Sequence, residues 1–258
     1  MNTVLAISSV VIKELCWRKD FYVLFVLTAA ITLLMGSVNF FNDHSIVRYL
    51  KEVCLLLIWV SALVIAIATT ARQIPAEREN RTIFPLLAKP VTRAQVIVGK
   101  FGGCWLACGL VLVVFYLFFG VLSGSREHQW PLLNYFQALW LQWMMLGVVI
   151  GLVLLGSVVF AAPSSNATIS FIVVIGILLL GRPLNQVALQ LTEPLRTVVY
   201  AIYFLLPHLE WYDVRELIAF DQDLIGWGAC ALATLYAGAY VALSLFAAWL
   251  VFRRKPLN

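Results

Sequence analysis

Three groups of residues in this sequence have the types and spacing to do chemistry. Cys104 and Cys108 stand four apart, so a helix puts both thiols on one face as half of a metal site. No His or carboxylate accompanies them within the surrounding apolar run, and the pair reads equally as small packing residues. His208, Glu210, Asp213, Glu216, Asp221 and Asp223 make an acidic stretch that would hold a cation or dock an external partner. The plain alternative is a solvated loop, since the spacings match no metal motif. The third group is the segment 72–101, RQIPAERENRTIFPLLAKPVTRAQVIVGKF, where Ile83, Phe84, Leu86 and Leu87 interrupt a run of charges. Exposed Phe and Leu between charges are the anchors that a short helix needs to plug into a partner's groove, or to rest on lipid headgroups.

Catalytic signatures are missing. The chain has no HExxH, no GxSxG and no paired aspartates within an apolar run, so no catalytic set is expected. It also lacks GxxxxGK[ST], which removes that route to binding ATP.

The elements that must position these groups are membrane spans. Of the 258 residues 62% are hydrophobic and 12% charged, and the mean hydropathy is +0.93. Soluble domains are about 45–50% apolar and about 25% charged, which excludes a soluble globular fold. Charge-free runs cover 21–41, 53–71, 101–122, 138–162, 164–181 and 224–252. Crossing a bilayer takes roughly 20 apolar residues at about 1.5 Å each, so all six runs are spanning candidates. The fourth and fifth are separated only by 162–166, Ala-Pro-Ser-Ser-Asn, whose breaker and turn residues predict a reversal.

With a cytoplasmic N-terminus, the inner segments hold 12 of the 18 Lys and Arg but only four of the 13 acids. That asymmetry predicts six spans with both termini cytoplasmic. The basic balance therefore reflects topology, and no clustered basic and aromatic surface points to nucleic acid. The first run exceeds a signal-peptide h-region and lacks a small-x-small site, so an uncleaved helix is expected. Five cysteines, odd in number and lying in or beside the runs, do not form a disulfide framework.

Before the first run, Val4, Ile7, Val11 and Leu15 recur at helical spacing opposite Ser9 and Lys13. The pattern predicts an amphipathic helix over 1–20 in the inner interface, with an extension of the first span as the alternative. Residues 182–223 form an outer region. Its apolar part, 197–206, is half the length of a span and is stopped by Pro207, so 184–206 reads as helical pieces on or dipping into the outer leaflet. None of the six runs contains Asp, Glu, Lys, Arg or His, which disfavours proton-coupled transport. Gly147, Gly151 and Gly156 line the fourth run as close-packing positions, more in keeping with packing inside one chain than with a dimer seam.

The inner segment also carries a family resemblance. Glu77-Arg78-Glu79, Thr82-Ile83, Leu86-Leu87, Pro90-Val91-Thr92-Arg93 and Gly99-Lys100 resemble a pattern found in permeases of ABC type 2 exporters: acidic pair, Gly-Thr-Leu, Leu-Leu, Pro-Val-Ser-Arg, Gly-Lys. Arg81 stands where many relatives have Gly, and Thr92 replaces the commoner Ser, without a change of register. The resemblance implies a single all-α permease domain over 1–258, with 72–100 as a cytoplasmic coupling loop seated in a separate ATPase subunit. Two ATPases, which carry the ATP and Mg, would pair with two permease protomers, identical or paralogous, in a bacterial cytoplasmic membrane. Residues 82–88 would form the coupling contact, with Ile83, Phe84, Leu86 and Leu87 at its apolar core. Glu77, Arg78, Glu79, Arg81 and Arg93 would steer docking or form salt bridges. Ser164, Ser165 and Asn166 in the second inner turn would lie near the ATPase. The chain itself would be non-catalytic and bind no cofactor. Its cargo would be lipid-like, amphipathic or of another kind; the alternative role is mechanotransmission to an extracytoplasmic partner, and a third is a membrane-embedded enzyme or scaffold with no ATPase.

Overall fold

The computed structural model describes residues 3–17, 19–37, 44–80, 92–127, 131–190, 192–220, 222–223 and 225–254. Every regular element among them is helical. In chain order they are α1 (Thr3–Trp17), α2 (Lys19–Ser37), α3 (His44–Ala71), α4 (Pro75–Glu79), α5 (Arg93–Glu127), α6 (Leu132–Val159), α7 (Pro163–Gln190) and α8 (Leu195–Leu205). A 3-10 turn (Leu209–Tyr212), α9 (Arg215–Ala219) and α10 (Trp227–Arg254) complete the chain.

Among the described residues, five helices are long and apolar enough to cross a membrane: Arg48–Glu79, Arg93–Ser125, Leu132–Val159, Pro163–Gly181 and Trp227–Arg254. The first charge-free run corresponds to α2, whose described apolar part, Tyr22–Leu33, is shorter. The helices overrun the charge-free windows because a helix continues until its backbone bonds are broken, whatever the charge of its side chains. Thus α3 carries Arg48, Lys51 and Glu52, and α5 begins at Arg93, inside the segment assigned to the inner loop. Pro163 opens α7 at a position where its missing N–H costs nothing, so Ser164, Ser165 and Asn166 form helix rather than turn. At its outer end α7 runs through Pro183 to Gln190. The start of the segment 182–223 is therefore a continuation of α7, and α8, the 3-10 turn and α9 follow as separate short pieces.

At the centre, α3, α5 and α6 pack on one another. Leu55, Ile58, Leu112, Phe115, Leu141, Met145 and Val149 are fully buried among them. Small residues set these distances. Trp105–x3–Gly109 on α5 faces Trp143–x3–Gly147 on α6. The two indoles stack with centroids 4.5 Å apart. Each Nε1 donates to the other residue's carbonyl, at 3.1 and 3.0 Å. A Cβ on Gly109 or Gly147 would come within 2.6 or 3.0 Å of an indole nitrogen, so only glycine admits the stack. Gly151 lies against Ser244 and Gly156 against Asn166, so the glycines of α6 serve contacts within the chain.

A helix does form over Thr3–Trp17, and it packs along α5. Ile7 sits on Gly99 and Val11 on Gly103, while the Ser8 hydroxyl donates to the Gly99 carbonyl at 2.8 Å. Val11 is buried, and Ser9, Val10 and Lys13 face outward.

The outer region folds back onto the spans. Tyr212 donates to the Ala233 carbonyl at 2.7 Å, and the His208 ring is 2.7 Å from the Tyr236 hydroxyl. Gln137 of α6 holds the backbone of Ile225 through both its amide groups. Asp213 and Arg215 form a two-pronged ion pair at 2.7 and 2.8 Å, and the guanidinium lies 4.7 Å from the Trp59 ring centroid. Trp59 is eleven residues into the span from Arg48, roughly 16 Å along the axis at 1.5 Å per residue. Sequence windows left the spans free of ionisable groups. In the folded chain, the segment after Pro207 sets a charge pair against Trp59 of α3.

Candidate functional site

The ends of α3 and α10 and the start of α5 come together on one face, and basic residues gather there. The last carbonyls of a helix have no partner within it, and its C-terminus carries partial negative charge. Two cations of α5 occupy such ends. Lys100, 3% exposed, donates from Nζ to the Gln73 carbonyl at 2.6 Å, just beyond the end of α3, and lies 3.4 Å from Gln73 Oε1. The same Nζ pairs with Glu77 Oε1 of α4 at 2.8 Å. Two turns earlier on α5, Arg93 donates from Nη1 to the carbonyls of Phe252 and Arg253 at the end of α10. Its guanidinium also rests over the Phe252 ring, 5.4 Å from the centroid.

A second junction ties α7 to the same end of α3. Asn166, fully buried, donates from Nδ2 to the Ala71 carbonyl at 3.1 Å and to the Val153 carbonyl at 3.3 Å. The Ser170 hydroxyl donates to its Oδ1 at 3.2 Å. The carbonyls of Ala71 and Gln73 therefore receive Asn166 from α7 and Lys100 from α5.

Of the residues singled out in the sequence, the structure engages Glu77 with Lys100 and Arg93 with α10, inside the chain. Glu79 is exposed at the end of α4, as are Ser164 and Ser165 on the first turn of α7, whereas Asn166 points inward. Arg78 differs from all of these. Its Nε and Nη2 are shielded from solvent and have no hydrogen-bond partner among the described residues. Arg81, Thr82, Ile83, Phe84, Leu86 and Leu87 lie outside the described residues. Sequence reasoning missed Lys100 and Gln73 as partners, although Lys100 stands seven residues after Arg93, on the same face of α5.

The inner segment is thus fastened on both sides of 81–91, at Glu77 and at Arg93, to spanning helices. The family model described as ABC-2 family transporter protein matches residues 21–257. The chain belongs to the ABC-2 transporter family. It is a permease subunit of an ABC transporter and an integral, multi-pass membrane protein. No curated protein matches the chain.

On the opposite face, Tyr203, Trp211 and Tyr236 surround His208, with the His208 and Trp211 rings 4.9 Å apart, and Tyr240 packs behind Tyr236. Burial pushes the Tyr212 hydroxyl up to about 12. The bidentate bond to Asp213 holds the Arg215 guanidinium above its ordinary value. Beneath Trp211 a cavity of about 570 Å³ opens between α6 and α10, lined by Leu141, Ile225, Cys230, Ala233 and Tyr236 among others. Its wall is almost entirely carbon. Among the described residues no group of three or more His, Cys, Asp and Glu could hold a metal.

Proposed function

We propose that this ABC-2 permease is the membrane-spanning subunit of an ATP-driven exporter and that a separate ATPase docks on 72–100. Residues 82–88 form the coupling contact, anchored by Ile83, Phe84 and Leu87. The observation that carries the docking reading is Arg78. Arg78 is partly exposed, and its Nε and Nη2 have no hydrogen-bond partner among the described residues, so an acidic residue of the docked ATPase would find an unmet donor pair there. In the chain it stands three residues before 81–91.

ATP and Mg belong to the ATPase in this reading, with two ATPases for two permease protomers. The crowding of Arg72, Arg78, Arg93, Lys100, Arg253 and Arg254 at one end of the helices supports assigning that end to the cytoplasm. Six spans follow when α2 crosses. The apolar cavity under Trp211 supports a lipid-like or amphipathic cargo over a small ion. The outer segment, folded onto α3 and α10, supports a role as wall of the export path rather than as a free docking arm for an external protein.

The test pairs Phe84→Asp with Leu87→Asp, and separately takes Arg78→Ala. The double variant is expected to insert into the membrane and to lose the ATPase from the purified complex, because unpaired carboxylates are costly to bury. Arg78→Ala is expected to weaken ATPase retention. Full retention in both would refute docking on 72–100.

A further inference from the structure

Glu77 and Arg93 bracket 81–91 and are both bonded to the chain's own residues, through one element, α5. Arg93 and Lys100 are seven residues apart, two turns at 3.6 residues per turn, and so stand one above the other on the same side of α5. The lower cation caps α10 and the upper caps α3. Lys100 does more than cap. Its Nζ is shared between the Gln73 carbonyl, which belongs to the end of a span, and the Glu77 carboxylate, which belongs to the short helix leading into the loop. Ile74, between them, is fully buried, and Pro75 is buried behind it, so α4 is set rigidly onto the end of α3.

Displacement of α4 therefore pulls directly on a cation two turns inside α5. That cation is 3% exposed. Water does not readily replace a lost partner there, and the pair breaks at the cost of leaving a charge buried. A surface pair in the same place would be worth little and would give way.

We infer that Lys100 is the positioning residue that passes movement of the ATPase-facing segment into the spans: Glu77–Lys100–Gln73 is a linkage for transmission, separate from the docking surface. The inference rests on the docking reading above and assigns Glu77 and Arg93 to transmission while leaving Arg78 and the apolar anchors to docking. Removing the linkage uncouples the two subunits without separating them.

The experiment uses the complex of the full chain with its ABC ATPase in lipid nanodiscs and follows phosphate release from ATP, relative to the ATPase alone. Lys100→Met and Glu77→Ala are each expected to keep the wild-type number of bound ATPases and an unchanged KM for ATP. The permease-dependent change in kcat is expected to shrink roughly fivefold or more, a loss within the range of measured couplings between sites. Lys100→Arg, which keeps a cation in reach of Gln73 and Glu77, should restore most of it. A purely structural role would lower the yield of complex and leave kcat per complex alone. Where Lys100→Met does not insert, Glu77→Ala decides by the same criterion, since it leaves Lys100 bonded to Gln73. Wild-type kcat modulation in the inserted variants overturns the linkage and leaves docking intact. ATPase retention by the Phe84→Asp, Leu87→Asp double variant removes the docking reading, and the linkage falls with it.

Discussion

Alanine at position 156 should destabilise the native protein and stabilise a variant that lacks Asn166. A Cβ on Gly156 would overlap Asn166 Oδ1, and the next atoms met, Asn166 Cγ and Ser170 Oγ, are each 3.5 Å away. The amide has to withdraw, taking with it its bonds to Ala71 and Val153 and the bond it receives from Ser170. Hydrogen bonds inside membrane proteins average about 0.6 kcal/mol net, and those in soluble proteins about 1, so three are worth about 2 kcal/mol. Alanine in mid-helix recovers about 0.5–1 kcal/mol relative to glycine. The single substitution Gly156→Ala then costs about 1–1.5 kcal/mol by these figures. With Asn166→Ala already present there is nothing to collide with, and the same change should gain about 0.5–1 kcal/mol. The double-mutant cycle closes with an interaction of about 2 kcal/mol, well above the roughly 0.5 expected of independent sites. Reversible unfolding by SDS in mixed micelles, followed by far-ultraviolet circular dichroism, measures all four corners. Additive costs would show that the Asn166 bonds contribute nothing and that the reasoning from close approach is wrong.

Three further outcomes are expected. Because the Tyr212 hydroxyl is held neutral to about 12 when folded and ionises near 10 when released, docking of the outer segment is fully present below about pH 10 and is lost as pH rises toward about 12. Trp211 fluorescence should report that loss in the native protein, and Tyr212→Phe should flatten the profile over this window. Reporter fusions after Lys19 and after Lys255 should be cytoplasmic and one near Asp213 external; an external C-terminus would defeat the six-span reading. Leu56 and Val60 leave an exposed stripe on the otherwise well-packed α3, and Ile172 and Leu179, at 64% and 68%, lie on an open face of α7. Single cysteines there, with native cysteines removed, should cross-link protomer to protomer in yields that change with ATP, whereas no cross-link at any of the four would exclude a seam along these helices.

Helix existence was legible because apolar length is a local property: the run at 101–122 lies inside α5, and that at 138–162 coincides with α6 up to Val159. Helix ends were less so. Windows that stop at the first charge cut α5 short of Arg93 and α3 short of Arg48, although both residues are good helix formers and both find partners. The short helix at 195–205 was expected from its ten-residue apolar run and from Pro207. The packing of Asp213 and Arg215 against α3 was not. It follows from Leu209, Tyr212, Val214 and Ile218, whose burial brings the charges in with them. In the inner segment, sequence marked charged residues as exposed candidates because charge alone does not reveal a bare carbonyl two helices away. Lys100 is buried by the Gln73 carbonyl, a backbone group that no side-chain pattern announces. The same holds for Asn166, which turn chemistry assigned to a surface reversal and which the end of α3 drew inward.

The reciprocal Trp105–Trp143 stack bears on how such a subunit can deform. The helices that carry it run antiparallel, so a slip of α5 along α6 in either direction stretches both indole bonds together and drives each ring off its glycine onto a side chain. The seam resists sliding both ways, like two bolts set head to tail through the same joint. α5 and α6 are thus pinned in one register at the centre of the protomer, whereas only 28% and 22% of the spans of α7 and α10 is enclosed by the chain. Tryptophan set against glycine locks the middle of this protomer, and the helices left most open by the chain lie at its edge.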